Sequence, residues 1–148
     1  MKNILELLEN TAGRLPEKTA FADEKVHLSY LELVSHARAA GTCLAKTGNR
    51  NQPVAVLMSR SAACLEILMG VLYSGNFYVV LDAEMPAERA GKIMRTLQPF
   101  AMVCDAENAQ KANTLDFEGD LFIAEEILSA QINTELLQTV CLLYTSPS

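Results

Sequence analysis

Between Val54 and Cys104 the chain carries an alternation that few folds can accommodate. Apolar runs at Val54–Met58, Phe77–Leu81 and Phe100–Cys104 are separated by helical segments at Ala62–Tyr73 and Pro86–Leu97. None of the three runs alternates polar with apolar residues, so each predicts a strand buried on both faces. Strands of that kind belong to a parallel sheet, and the segments between them are the right length for right-handed crossover helices. The expected fold class is therefore α/β, a three-layer, mostly parallel sheet with flanking helices.

The flanking segments read less strongly. Ile4, Leu5, Leu7 and Leu8 share one face of a helix over residues 3–13, which Pro16 stops. Thr19–Ala22 and Val26–Leu28 predict a small hairpin around the polar turn Asp23–Lys25. Ser29 is a good N-cap, and Glu32 three residues later completes a capping box. The helix it opens carries Leu33, Ala37, Ala40 and Leu44 on one stripe and ends at Gly48. Ser61 caps the first crossover helix, Gly75 closes it, and Pro86 fits the first turn of the second. Further on, Asn108–Asn113 is weakly helical, Asp120–Ile123 predicts a short strand, and Glu125–Ser129 and Thr134–Thr139 predict helices.

Composition excludes several functions. The 148 residues hold 12 Lys and Arg against 18 Asp and Glu, a net charge of −6. The basic residues are scattered, so no phosphate-neutralising patch forms and no nucleic-acid partner is expected. No apolar run approaches the ~18 residues of a membrane span, and no membrane partner is expected. Met1–Arg14 lacks the basic start and unbroken apolar core of a signal peptide. Cys43, Cys64, Cys104 and Cys141 form no CxxC pair and lie at no metal-ligand spacing from a histidine. They read as small hydrophobes of a reduced, cytoplasmic protein.

Ligands of open parallel sheets bind beyond the carboxyl ends of the strands. Ser59, Arg60 and Ser61 follow the first buried run there; Asp82 and Glu84 follow the second, and Asp105 and Glu107 the third. The serines ahead of a helix could take an anion or simply cap it. Asp82 and Glu84 could hold a metal or a ribose, or bond their own turn. There is no GxGxxG and no GxxxxGK[ST]. His27 and His36 have no serine or cysteine partner in evident reach. On these residues alone the chain is an α/β domain without a visible catalytic centre.

Three segments, in order, resemble the acyl-adenylate-forming superfamily of peptide-synthetase adenylation domains, acyl-CoA synthetases and luciferases. Leu28-Ser29-Tyr30-Leu31-Glu32-Leu33 is similar to its "Leu-Thr-Tyr-x-Glu-Leu" element, and Arg60-Ser61 to its "Arg-Ser" turn. Gly75-Asn76-Phe77-Tyr78-Val79-Val80-Leu81-Asp82 resembles the end of "Leu-Lys-Ala-Gly-x-Ala-Tyr-Val-Pro-Leu-Asp", and Pro86, Glu88 and Arg89 match the "Pro-x-Glu-Arg" after it. Val80 and Ala83 stand where proline is usual. Leu-Asp followed by Pro-x-Glu-Arg points to the amino-acid-activating branch, either a D-alanine–carrier protein ligase or a peptide-synthetase module. The scaffold positions carried by the resemblance are Ser29, Tyr30, Glu32, Leu33, Arg60, Ser61, Gly75, Tyr78, Asp82, Pro86 and Arg89.

The resemblance implies an enzyme that uses ATP and Mg²⁺ to join a carboxylate to AMP, then passes the acyl group to the phosphopantetheine thiol of a carrier protein. Its partners would be an amino-acid substrate and that carrier. The phosphate-binding loop and lysine of the family lie downstream, so no catalytic, cofactor-binding or metal residue is assigned, and the chain alone is expected to be inactive. Residues 1–140 read as the N-terminal part of an adenylation domain. Residues 141–148, Cys-Leu-Leu-Tyr-Thr-Ser-Pro-Ser, read either as the start of "Tyr-Thr-Ser-Gly-Ser-Thr-Gly" with Pro147 in place of glycine, or as a tail translated from a widely used transposon sequencing adapter. An acyl-CoA synthetase fragment and a small non-catalytic binding domain are the alternatives.

Overall fold

A computed structural model describes residues 4–22, 26–115 and 117–145, with side chains to residue 140. Helix α1 (Ile4–Arg14) leads into strands β1 (Thr19–Ala22) and β2 (His27–Ser29). These pair antiparallel with a register shift between Thr19 and Phe21. The expected turn at Asp23–Lys25, and Asn3 of the first helix, lie outside the described residues.

Helix α2 (Tyr30–Ala45) starts on the expected capping box: the Ser29 hydroxyl accepts from the Glu32 N–H, and the Glu32 carboxylate accepts from the Ser29 N–H, each at 3.1 Å. Strand β3 (Pro53–Met58), helix α3 (Ala62–Tyr73), strand β4 (Phe77–Asp82), helix α4 (Ala87–Leu97) and strand β5 (Ala101–Cys104) then follow in the predicted order. A short α5 (Ala109–Asn113), strand β6 (Asp120–Ile123), α6 (Ala124–Ile127) and α7 (Thr134–Thr145) complete the described chain. The last helix was expected to stop at Thr139. It runs to Thr145 because no proline or glycine interrupts residues 134–145. Pro86 sits one residue earlier than expected, as the N-cap of α4.

The sheet is parallel throughout, in the order β4-β3-β5-β6. Alternate residues of β3 serve opposite layers, as the two-residue period requires. Val54, Val56 and Met58 pack with Ile67 and Val71 of α3 and Ala40 and Leu44 of α2. Ala55 and Leu57 pack with Leu81, Ala90, Met94 and Ala112 on the α4 side. Helices α1 and α7 lie against the outside of α2 and α3, around Leu8, Ala37, Tyr73 and Leu137. The expected three layers are present, with an added helical layer on one side.

One expectation is corrected. Phe77–Leu81 reads as a strand buried on both faces, but β4 is an edge strand. Phe77, Tyr78 and Val80 are 43%, 37% and 50% exposed, and only Leu81 is buried. The apolar run is the same in either position; what differs is the absence of a strand on the outer side of β4 among the described residues.

The two helices on the β3 face cross very closely. Gly41 of α2 and Gly70 of α3 face each other at the crossing. A Cβ on Gly70 would lie 2.8 Å from the Ala40 Cβ and 3.0 Å from the Ala37 carbonyl oxygen, and one on Gly41 would lie 2.7 Å from the Tyr73 Cβ. Glycine lets the two backbones approach to a distance no other residue permits.

Candidate functional site

The carboxyl ends of β3 and β4 open into a cleft of about 740 Å³. Ser59, Arg60 and Ser61 form one wall, Val80, Asp82 and Glu84 another, and Leu65 and Phe21 supply apolar floor. The structure therefore brings together two of the three predicted strand-end groups. The third borders them: the Asp105 Oδ2 accepts from the Ser59 N–H at 3.1 Å.

Three of the polar side chains at these ends, those of Ser61, Asp82 and Asp105, bond nearby backbone N–H groups. The Ser61 Oγ accepts from the Cys64 N–H at 3.2 Å as the N-cap of α3, so the serine is a cap. The Asp82 Oδ1 accepts from the Glu84 N–H at 2.9 Å, closing an Asx turn. The Asp105 Oδ1 accepts from the Asn108 N–H at 3.1 Å and its Oδ2 holds Ser59, pinning the exit of β3 to the exit of β5. The Lys111 ammonium donates to the carbonyls of Ala83 (2.6 Å) and Met85, fixing the loop after β4. No group of three or more His, Cys, Asp or Glu among the described residues could hold a metal ion. Among the strand-end carboxylates, the Asp82 Oδ1 and both Asp105 oxygens already accept backbone N–H bonds. Arg60 differs: it is exposed at the cleft and makes no salt bridge among the described residues.

The other scaffold positions lie outside the lining of this cleft. Ser29, Tyr30 and Glu32 start α2, with Leu33 buried beneath them. Gly75, at φ +82°, takes the left-handed turn that reverses the chain from α3 into β4. Tyr78 stands on the exposed edge, while Pro86 and Arg89 lie on the exposed start of α4.

Cys43, Cys64 and Cys104 are free, and burial raises the pKa of each. Cys104, buried and beside Asp105, is pushed up to about 11. It stays protonated at neutral pH and is a poor nucleophile. The side chain of Cys141 lies outside the described residues.

Sequence reasoning missed two polar clusters. Glu66 of α3 is 5% exposed and pairs with the Nδ1 of His36 on α2. Burial raises its carboxyl pKa, opposed by His36. Glu9 of α1 pairs with Arg38 of α2 and accepts from the Tyr73 hydroxyl at 3.2 Å. The Arg38 guanidinium also sits 5.8 Å from the centre of the Tyr73 ring. These partners are about 30 or more positions apart in sequence, and the only local hint was a charged residue inside an apolar helix, Glu66 in Leu65–Val71.

A parallel sheet whose strand-end cleft is lined by the Arg-Ser turn and the Leu-Asp turn is the arrangement the motifs anticipate. The profile of the family described as "AMP-binding enzyme" matches residues 8–146, and the chain belongs to that family. Among curated relatives, the D-alanine–D-alanyl carrier protein ligase of Listeria monocytogenes serotype 4b (strain CLIP80459) is 31% identical over 107 residues, covering 71% of this chain and 21% of the relative. Surfactin synthase subunit 1 of Bacillus subtilis (strain 168) is 30% identical over 126 residues, covering 84% of this chain and 4% of the relative. The chain thus spans about a fifth or less of these relatives. Among solved structures, a benzoate CoA ligase from Burkholderia xenovorans LB400 superimposes with a TM-score of 0.80 at 19% identity, over 90% of this chain and 30% of that one. A nonribosomal peptide synthetase in its alpha-methyl-L-serine-AMP bound form gives 0.77 at 22% identity, over 85% and 14%. These two likenesses speak to the fold.

Proposed function

We propose that this chain is the front of an ATP-dependent ligase that activates an amino acid as its adenylate and passes it to a carrier-protein thiol. The observation that carries the reading is the exit of β4, where Leu81-Asp82 turns over an Asx bond and leads within seven residues to Pro86, Glu88 and Arg89. That run resembles the amino-acid-activating branch, and relatives named as a carrier protein ligase and a peptide synthetase support it.

Within such an enzyme these residues build and do not react. The Ser61 cap, the Asp82 turn and the Asp105 clasp hold three strand exits at fixed spacing under a cleft. The ATP and Mg²⁺ of the reaction would be held by the longer protein. When bound they supply the phosphate to be attacked and the charge that neutralises it. Residues 1–140 form the natural domain part in this reading, and residues 141–148 a foreign tail, although the family match and the backbone of α7 both continue past residue 140.

Reading the source DNA across codon 140, then expressing the continued frame, tests the proposal. Amino-acid-dependent exchange of pyrophosphate into ATP by the longer protein is expected, and none by residues 1–148. Activity on aryl or fatty acids with coenzyme A as acceptor would replace the carrier-ligase reading by the acyl-CoA synthetase reading. A stop codon directly after Ser148 would favour a non-catalytic binding domain.

A further inference from the structure

Helices α2 and α3 lie side by side and run the same way: His36 meets Glu66, and further along both helices Ala37, Ala40 and Gly41 meet Gly70. The contact at Gly70 is backbone to backbone and leaves no room to shift. Glu66 stands one turn before it, about 6 Å along the axis of α3, toward the end that borders the strand-end cleft. The Glu66 side chain is 7% exposed, and its hydrogen bond runs to the Nδ1 of His36, whose side chain is 45% exposed. The carboxyl is therefore covered while its partner meets water, and a proton enters or leaves the pair through the imidazole. Among the described residues the charged groups facing Glu66 are His36 and Glu32, both of α2. The other elements packed on α3, namely α1, β3, β4, α6 and α7, bring none to it. The nearby Glu9 of α1 is taken up by Arg38 and Tyr73.

With one proton between them, His36 and Glu66 carry no net charge. Without it the imidazole still donates a hydrogen bond, but a bare carboxylate is left under cover with Glu32 beside it. A buried charge without a counter-charge favours any opening that lets water reach it. The opening starts from the cleft end of α3, because Gly70 holds the other end against α2. We infer that the His36–Glu66 pair is a proton-operated latch: when the pair gives its proton to solvent, Ala62–Glu66 peels off α2 and frays as far as the Gly70 contact. A turn of helix freed from its packing does not stay helical alone. Ser61 caps that segment, Cys64 and Leu65 belong to it, and all three line the strand-end cleft. The state of the latch thus decides whether the cleft keeps that wall. Burial raises the pKa of the Glu66 carboxyl, so release falls above the ordinary carboxylate range.

Amide hydrogen exchange of residues 1–148 at a series of pH values, each rate divided by that of the same amide in an unstructured peptide, measures the latch. Protection at Leu65, Glu66 and Ile67 is expected to fall by up to about tenfold per pH unit above the ordinary carboxylate range, because each opening releases one proton. It is expected to lie below the protection of Val56 and Val103 in β3 and β5, and to change little in dilute urea, since a small opening exposes little surface. Protection that ignores pH would overturn the inference. So would equal protection and equal urea dependence in α3 and the strands, which would mean that α3 is released by global unfolding alone. Glu66→Gln is neutral at every pH and is expected to remove the pH dependence at these three amides; a retained slope would overturn the inference. Should Glu66→Gln fail to fold, the pH and urea profiles of the unaltered chain decide.

Discussion

Replacing Gly70 by alanine tests whether the α2–α3 crossing is as tight as its geometry. The added Cβ would sit 2.8 Å from the Ala40 Cβ and 3.0 Å from the Ala37 carbonyl oxygen. Carbon atoms in contact prefer 3.5–4.0 Å, so the helices must part by about 1 Å. One of the obstructing atoms is backbone, which cannot rotate aside. Overpacking of this kind costs about 1–3 kcal/mol. Alanine also gains up to about 1 kcal/mol of helix propensity over glycine. With the full propensity gain the net is a loss of about 0–2 kcal/mol, or up to roughly 8 °C in melting temperature for a chain of this size. Gly91 of α4 is the control, because a Cβ there meets only the Arg95 Nη1 at 3.5 Å, the end of a flexible side chain. Gly91→Ala should therefore show the propensity gain alone. Urea unfolding followed by far-UV circular dichroism measures both, at one protein concentration so that self-association is held constant. Equal gains in the two variants would refute the argument, since they would mean that α2 and α3 are not in backbone contact at Gly70.

Three further outcomes are expected. Glu66 has a raised folded pKa, so its contribution to stability is full below the ordinary carboxylate value and is lost as pH rises through the folded value. Stability should therefore fall as pH rises above the ordinary carboxylate range, measured as the urea midpoint at a series of pH values, and Glu66→Gln should flatten that fall. The groups facing this carboxylate are His36 and Glu32, both on α2. Ser29→Ala breaks the capping box and should lower stability by about 1 kcal/mol, with Ser29→Asp retaining most of it, again by urea unfolding. Cys104, with its thiol pushed up to about 11, should resist iodoacetamide at pH 8 in the folded chain and react promptly in urea, as followed by peptide mass.

What could be read from the sequence was local or periodic. The start of α2 was legible because Ser29 and Glu32 are three residues apart and bond each other. The β3-α3-β4-α4-β5 order was legible because apolar runs and helical stripes alternate at crossover length. The place of β4 in the sheet was not, because strand order is decided by non-local pairing, and an apolar run looks alike at the centre and at the edge. At the strand ends the types of residue were visible and their duties were not: Asp82 and Asp105 could hold a ligand or a turn, and the structure gives both to turns. The His36–Glu66 and Glu9–Arg38–Tyr73 clusters join separate helices, and no pattern along the chain foretells such contacts.

The strand order β4-β3-β5-β6 also bears on how the chain assembles as it is made. Once β3 and its crossover to β4 have left the ribosome, one side of β3 is taken, and β5 and then β6 add on the other side in the order of synthesis. No strand has to be inserted between two that are already paired. Each addition closes a loop of one crossover unit, so the sheet can grow from the N-terminus outward, one unit at a time, with an unpaired edge that moves with the growing chain.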